Sequence, residues 1–274
     1  MARGYRYYLW CLCAVLSYCG GFSQISAGGI PPGLSLDAEK QTINNFVYPK
    51  PDLETLEAQS SADYAKSNSN KIGITISANI SLTSEGTWTQ LPDNESICRI
   101  KVSVPDAQAL GLYYSAFSLP AGGKLFIYNT DGTKIIGAFT GFNNKNGGLF
   151  ATEPLPDDEI ILEYVQPAGL KAQPEIIISE ISYIYRWFDN SGAYQKGFGS
   201  SGSCELNVNC FPEGNDWQDE KRGIVRILFK YKKGSGWCSG SLVNNTREDG
   251  TPYLLSGDHC MDGASLEDLE QWVF

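Results

Sequence analysis

The sequence predicts an all-β protein, and three observations carry that prediction. Apolar and polar residues alternate with a period of two, strand-length runs recur between residues 70 and 186, and Gly, Asn and Asp cluster between those runs. No segment of comparable length shows a helical period. Short alternating strands separated by turn chemistry read as a β-sandwich.

Residues 1–23 place Arg3 and Arg6 before the apolar run Tyr7 to Leu16 and the small residues Gly20, Gly21 and Ser23. That charged, apolar, small order is a secretory signal peptide, and its apolar part is shorter than the roughly 20 residues of a spanning helix. The expected location is therefore secreted or extracellular, with no membrane span. Residues 24–69 are rich in Gly, Pro and Ser, including Gly28-Gly29-Ile30-Pro31-Pro32-Gly33, and read as an extended arm with at most a short helix near 52–65.

The sandwich, residues 70–186, opens with Ile72, Ile74 and Ile76 alternating with Gly73, Thr75 and Ser77. Cys98, Ile100, Val102 and Val104 then alternate with Arg99, Lys101 and Ser103, which predicts one face in the core and one in water. Further strands are predicted over 110–117, 124–128, 135–139, 159–165 and 175–185, with Asn129-Thr130-Asp131-Gly132 suited to a tight turn. Cys98 falls on the inward face and reads as a buried free thiol. This block holds no histidine and offers no catalytic constellation.

Residues 187–203 form a Ser/Gly-rich connector, of the kind that is exposed and readily cut. Residues 204–274 then bring strands over 223–229, 238–243 and 253–256, the last leading into Gly257-Asp258-His259-Cys260.

The net charge of −10, from 21 basic and 31 acidic side chains, repels phosphate backbones and argues against a nucleic-acid partner. The sequence has one histidine, which excludes a His-rich metal site, and no cofactor is expected. Of eight cysteines, three lie in the signal, and Cys204, Cys210, Cys238 and Cys260 are disulfide candidates in an oxidising compartment. Their spacing lacks the close pairs of a zinc site.

The Cys238-Ser239-Gly240-Ser241-Leu242-Val243 strand, followed by a strand ending in His259-Cys260, resembles the first barrel of chymotrypsin-fold serine proteases. Ser201-Gly202-Ser203-Cys204 with Cys210, and the run from Cys238 to Thr246, are similar to the start of mature lysyl endopeptidases, secreted bacterial proteases that cut after lysine. The resemblance implies that residues 70–186 are a β-sandwich propeptide packing on its own protease domain. It implies that residues 204–274 are the first strands of an incomplete chymotrypsin-type β-barrel, a truncated serine protease domain.

Carried onto this chain, the resemblance makes His259 the general base of a His-Asp-Ser triad and pairs Cys238 with Cys260. Such a bridge would hold the imidazole still. Cys204 and Cys210 would bridge to cysteines later in the family's chain, and Lys196-Gly197 would be the processing site of a lysine-specific enzyme. The family's acid and serine follow the histidine in order, and no Gly-Asp-Ser-Gly segment occurs here. The expected function is thus the N-terminal portion of a secreted endopeptidase, with protein or peptide substrates in the full-length enzyme and no activity in these residues alone. The alternative is a secreted β-sandwich binding or adhesion module with a vestigial protease tail.

Overall fold

The computed structural model describes residues 25–36, 42–53, 70–145, 147–187, 208–231 and 234–274. The predicted signal peptide, Lys196, Gly197 and Cys204 lie outside the described residues, as does most of the 52–65 segment. The fold is all-β, in two sheets with little helix.

Thirteen strands are described: β1 (Asn44–Val47), β2 (Asn70–Ser81), β3 (Thr87–Gln90), β4 (Ser96–Ser103), β5 (Ala109–Ser118), β6 (Lys124–Asn129), β7 (Ile135–Thr140), β8 (Phe150–Ala151), β9 (Glu159–Gln166), β10 (Glu175–Ile184), β11 (Ile224–Tyr231), β12 (Gly234–Val243) and β13 (Tyr253–Ser256). The first sheet runs β1-β4-β9-β6-β7, with β3 also on β4. The second runs β11-β12-β2-β10-β5-β8, with β13 also on β12.

The core lies between the sheets because each strand offers it every second side chain. Ile100 and Leu162 face each other across β4 and β9, as Ile181 and Leu112 do across β10 and β5, and all four are buried in one cluster with Ile74, Tyr164 and Tyr183. Phe117 and Phe150 stack at 4.1 Å between centroids, with Tyr114 and Phe139 against them. Such pairing adds to plain area burial.

The outer face of β4 departs from the sequence expectation. Arg99 and Ser103 were expected in water, yet they are 4% and 6% exposed. The cause is the arm. Leu34 and Leu36 pack on a second cluster of Ile97, Phe126, Tyr128, Ala138, Ile161 and Val165, on the side of the first sheet away from the main core. Ala27 N–H donates to Ala138 O (2.9 Å), which ties the arm to β7. Residues 44–47 form the parallel strand β1 on β4, with Phe46 opposite Val102, where the sequence reading had extended chain.

Under the arm sits a buried polar group. Glu163, opposite Arg99 in the β4–β9 ladder, accepts the Gly33 N–H (2.9 Å) and the Tyr128 hydroxyl (2.7 Å). A Cβ on Gly33 would lie 2.0 Å from Glu163 Oε2 and 3.0 Å from Arg99 Nη1, so glycine is needed for the backbone to come this close.

The C-terminal strands extend the second sheet. β12 pairs with β11 over Gly234–Ser241, while its other edge is shared by β13 over Gly240–Val243 and β2 over Gly234–Trp237. No closed barrel is present among the described residues. No helix of the described residues is long and apolar enough to cross a membrane.

Candidate active site

β13 ends at Ser256, and the chain turns through a single 3-10 turn, Asp258–Met261, that carries His259. Three devices hold this turn against β12. The β12–β13 ladder pairs Gly240 with Ser256. The Ser256 hydroxyl donates to Ser239 O (2.8 Å). A disulfide joins Cys238 in β12 to Cys260, with Cα atoms 6.2 Å apart. The residue after the histidine is thereby covalently fixed to the neighbouring strand, which restrains the imidazole as a positioned base requires.

His259 itself is exposed, and its ring lies over Gly257, where an added Cβ would come within 2.7 Å of Cε1. Among the described residues its imidazole makes no hydrogen bond, and Asp258 and Asp262 flank it in sequence. The ligand atoms of Cys238, His259 and Cys260 lie within 4.8 Å of one another, but the disulfide occupies both sulfurs. A disulfide sulfur is not the thiolate that binds a metal.

The remaining cysteines differ in setting. Cys210 is an exposed free thiol. Cys98 is buried, donates to Leu82 O (3.2 Å), and burial pushes its thiol up to about 12. Thiolate, not thiol, reacts with alkylating agents. Iodoacetamide on the folded protein at pH 8 is therefore expected to label Cys210 and spare Cys98. Peptide mass mapping reads this directly, and rapid native labelling of Cys98 would show that its site opens.

A second polar centre escaped the sequence reading. Lys230, in β11, is buried, and its ammonium pairs with Glu180 of β10, donates to Gln271 Oε1 (2.7 Å) and lies 3.7 Å from Asp268 Oδ1. It also sits 4.6 Å from the centre of the Tyr113 ring. The available signal was a lysine flanked by Phe229 and Tyr231 in an otherwise apolar strand.

Residues 198–274, which include the Cys238–Cys260 bridge and the His259 turn, match the family model for the lysyl endopeptidase C-terminal domain. The chain is lysyl-endopeptidase-like. Among curated proteins, the lysyl endopeptidase of Pseudomonas aeruginosa is 24% identical over 184 residues, covering 64% of this chain and 39% of the relative. The lysyl-endopeptidase-like chain thus spans about two fifths of that relative's length. An alignment of 184 residues is longer than the 77 residues from 198 to 274, so the similarity extends into the sandwich or its connector.

Proposed function

We propose that this chain is the N-terminal portion of a secreted serine endopeptidase of the lysyl endopeptidase type: a signal peptide, a β-sandwich propeptide that packs on its own protease domain, and the opening strands of that domain. The observation that carries the reading is the His259 turn bridged to β12 by Cys238–Cys260, inside the segment matched by the lysyl endopeptidase family model. Ile224, Leu242 and Leu255 stand exposed on β11, β12 and β13, apolar surface that suits strands of a barrel still to be closed.

In this reading His259 takes the proton of a serine nucleophile as it attacks a peptide carbonyl, then returns it to the leaving amine. The serine and the acid that orients the imidazole follow the histidine in chymotrypsin-type order. Lys196-Gly197 is the processing site, and Cys204 and Cys210 bridge to later cysteines. The adhesion-module alternative has less support, because β11 and β12 complete a sheet of the sandwich where a vestigial tail would hang free.

Recombinant residues 24–274 are expected to release no product from chromogenic lysyl peptides. Turnover abolished by a serine-directed inhibitor would overturn the triad assignment. N-terminal sequencing of the secreted protein tests the propeptide: a mature start at or just after Gly197 supports it, and one well upstream of residue 190 counts against it.

A further inference from the structure

The bridge that restrains His259 also gathers three metal-ligating side chains at one place. Cys238 comes from β12, Cys260 and His259 from the turn after β13, and their donor atoms lie within 4.8 Å of one another. Sequence spacing hid this group, because the two cysteines are 22 residues apart and meet only through the β12–β13 ladder. As a disulfide the two sulfurs are poor donors; reduced, they become thiols that ionise to strong ones. The group opens to solvent on one side, since His259 is exposed, Cys238 half-buried and Cys260 buried.

The geometry suits a small, borderline-soft cation. Zinc held tetrahedrally by sulfur at about 2.3 Å and nitrogen at about 2.0–2.1 Å sets its donors roughly 3.5–3.8 Å apart. With Cα atoms 6.2 Å apart, each cysteine reaches that spacing by rotation about its own Cα–Cβ bond, and the backbone stays where it is. The turn keeps its place without the bridge, because Gly240 is laddered to Ser256 and the Ser256 hydroxyl donates to Ser239 O at 2.8 Å. Ser256 Oγ also lies 3.4 Å from Cys260 Sγ, where it can support a thiolate from outside, as the partners of metal ligands commonly do. Asp258 and Asp262 flank His259 in sequence and add negative charge around a cation.

We propose that Cys238 and Cys260, once reduced, form with His259 a binding site for zinc, with water completing the tetrahedron. A dithiol reductant gives two electrons and two protons to the bridge and closes to its own disulfide. The two cysteine thiols then lose their protons to solvent as two metal–sulfur bonds form. Bridge and metal site exclude each other: one pair of sulfurs either staples the turn or holds the cation. The consequence for catalysis rests on the serine-protease reading. There, the cation takes the lone pair with which His259 accepts the serine's proton, so the reduced, zinc-loaded enzyme is inactive until a chelator and reoxidation restore it.

The test uses residues 24–274 carrying Cys204→Ala and Cys210→Ala, so that no other exposed thiol competes. The chain is reduced with a phosphine, which takes an oxygen from water while that water's two protons pass to the sulfurs, and is titrated with Co2+ and then Zn2+. The expected result is one cobalt ion per chain, with the visible bands of a tetrahedral thiolate site, displaced by zinc and absent from the oxidised chain. The Hε1 NMR signal of His259 shifts on adding zinc to the reduced chain and stays in place in the oxidised one. His259→Ala and Cys238→Ser each weaken zinc binding by more than the roughly 10–100-fold that losing an outer partner costs, and Ser256→Ala falls within that range. Tryptophan fluorescence follows the fold throughout. No binding by the reduced chain, equal binding by the oxidised chain, parent-like binding by His259→Ala, or loss of the folded emission on reduction overturns the proposal. The protease reading fails separately: a reduced, zinc-loaded full-length enzyme that still turns over shows that His259 is not its base, whatever the cobalt spectrum reports.

Discussion

Glu163→Ala is expected to lower the unfolding free energy by about 2–5 kcal/mol, because it leaves two buried donors without their acceptor at about 1–3 kcal/mol each. Glu163 is fully buried and directly opposite Arg99, whose Nε and Nη2 already lack hydrogen-bond partners. Its loss orphans the Gly33 N–H and the Tyr128 hydroxyl and removes the carboxylate that feels the Arg99 charge. Urea denaturation followed by tryptophan fluorescence measures the effect. Lys101→Ala is the internal comparison: its pair with Glu159 at 3.1 Å is half-exposed, and its removal is expected to cost about 1 kcal/mol or less. Equal costs for the two variants would show that the arm does not seal the Arg99 site.

The same residue predicts a pH dependence. Burial raises the Glu163 carboxyl above the usual carboxylate range, against the opposing pull of Gly33 N–H, the Tyr128 hydroxyl and Arg99. A folded value above the unfolded one means that the native state binds more protons between the two. The stability contributed by this group is therefore complete below the unfolded value and declines as pH rises through the folded one. The difference in unfolding free energy between the natural chain and Glu163→Gln should fall across that window.

The second large effect is expected from Cys238→Ala/Cys260→Ala. The bridge closes a loop of sequence separation 22, for which chain entropy alone gives about 3 kcal/mol. Replacing both cysteines avoids a lone thiol beside Cys210. The ladder between β12 and β13 and the Ser256–Ser239 bond remain, so the strands should persist while the turn after them loosens. Because the chain has one histidine, its Hε1 proton gives a single NMR signal that reports this turn alone. A nuclear Overhauser contact from Hε1 to the Gly257 α protons is expected in the natural chain and should weaken in the double variant. An unchanged contact and unchanged stability would mean that the strands alone fix His259.

The strand pattern was legible because each strand of the sandwich writes its inward face as alternating Ile, Val, Leu, Tyr and Phe. The runs at 72–76, 98–104, 110–117 and 175–185 fall in strands, save that Val104 and Tyr185 each lie one residue past a strand end. Alternation reports only which residues face alike, so it did not show that the polar side of β4 is also covered. The covering arm is Gly- and Pro-rich, without a period to read. The fusion of β12 to β2, and the meeting of Lys230 with Glu180, depend on contacts between distant parts of the chain that no local pattern encodes. At the candidate site, the pairing of Cys238 with Cys260 came from family resemblance, since four cysteines alone permit three connectivities.

The shared edge of β12 also bears on how the chain avoids sticking to itself. β2 is an interior strand only because β12 lies beside its first residues; without residues 234–237 that stretch of backbone is an unpaired edge, next to the apolar side chains of Ile72, Ala109 and Ile184. Bare edges of this kind recruit strands from other molecules. During synthesis the sandwich sequence emerges first, so its open flank waits for the later strands β11 and β12 to cover it. The C-terminal segment is in this sense a guard against aggregation for the domain that precedes it.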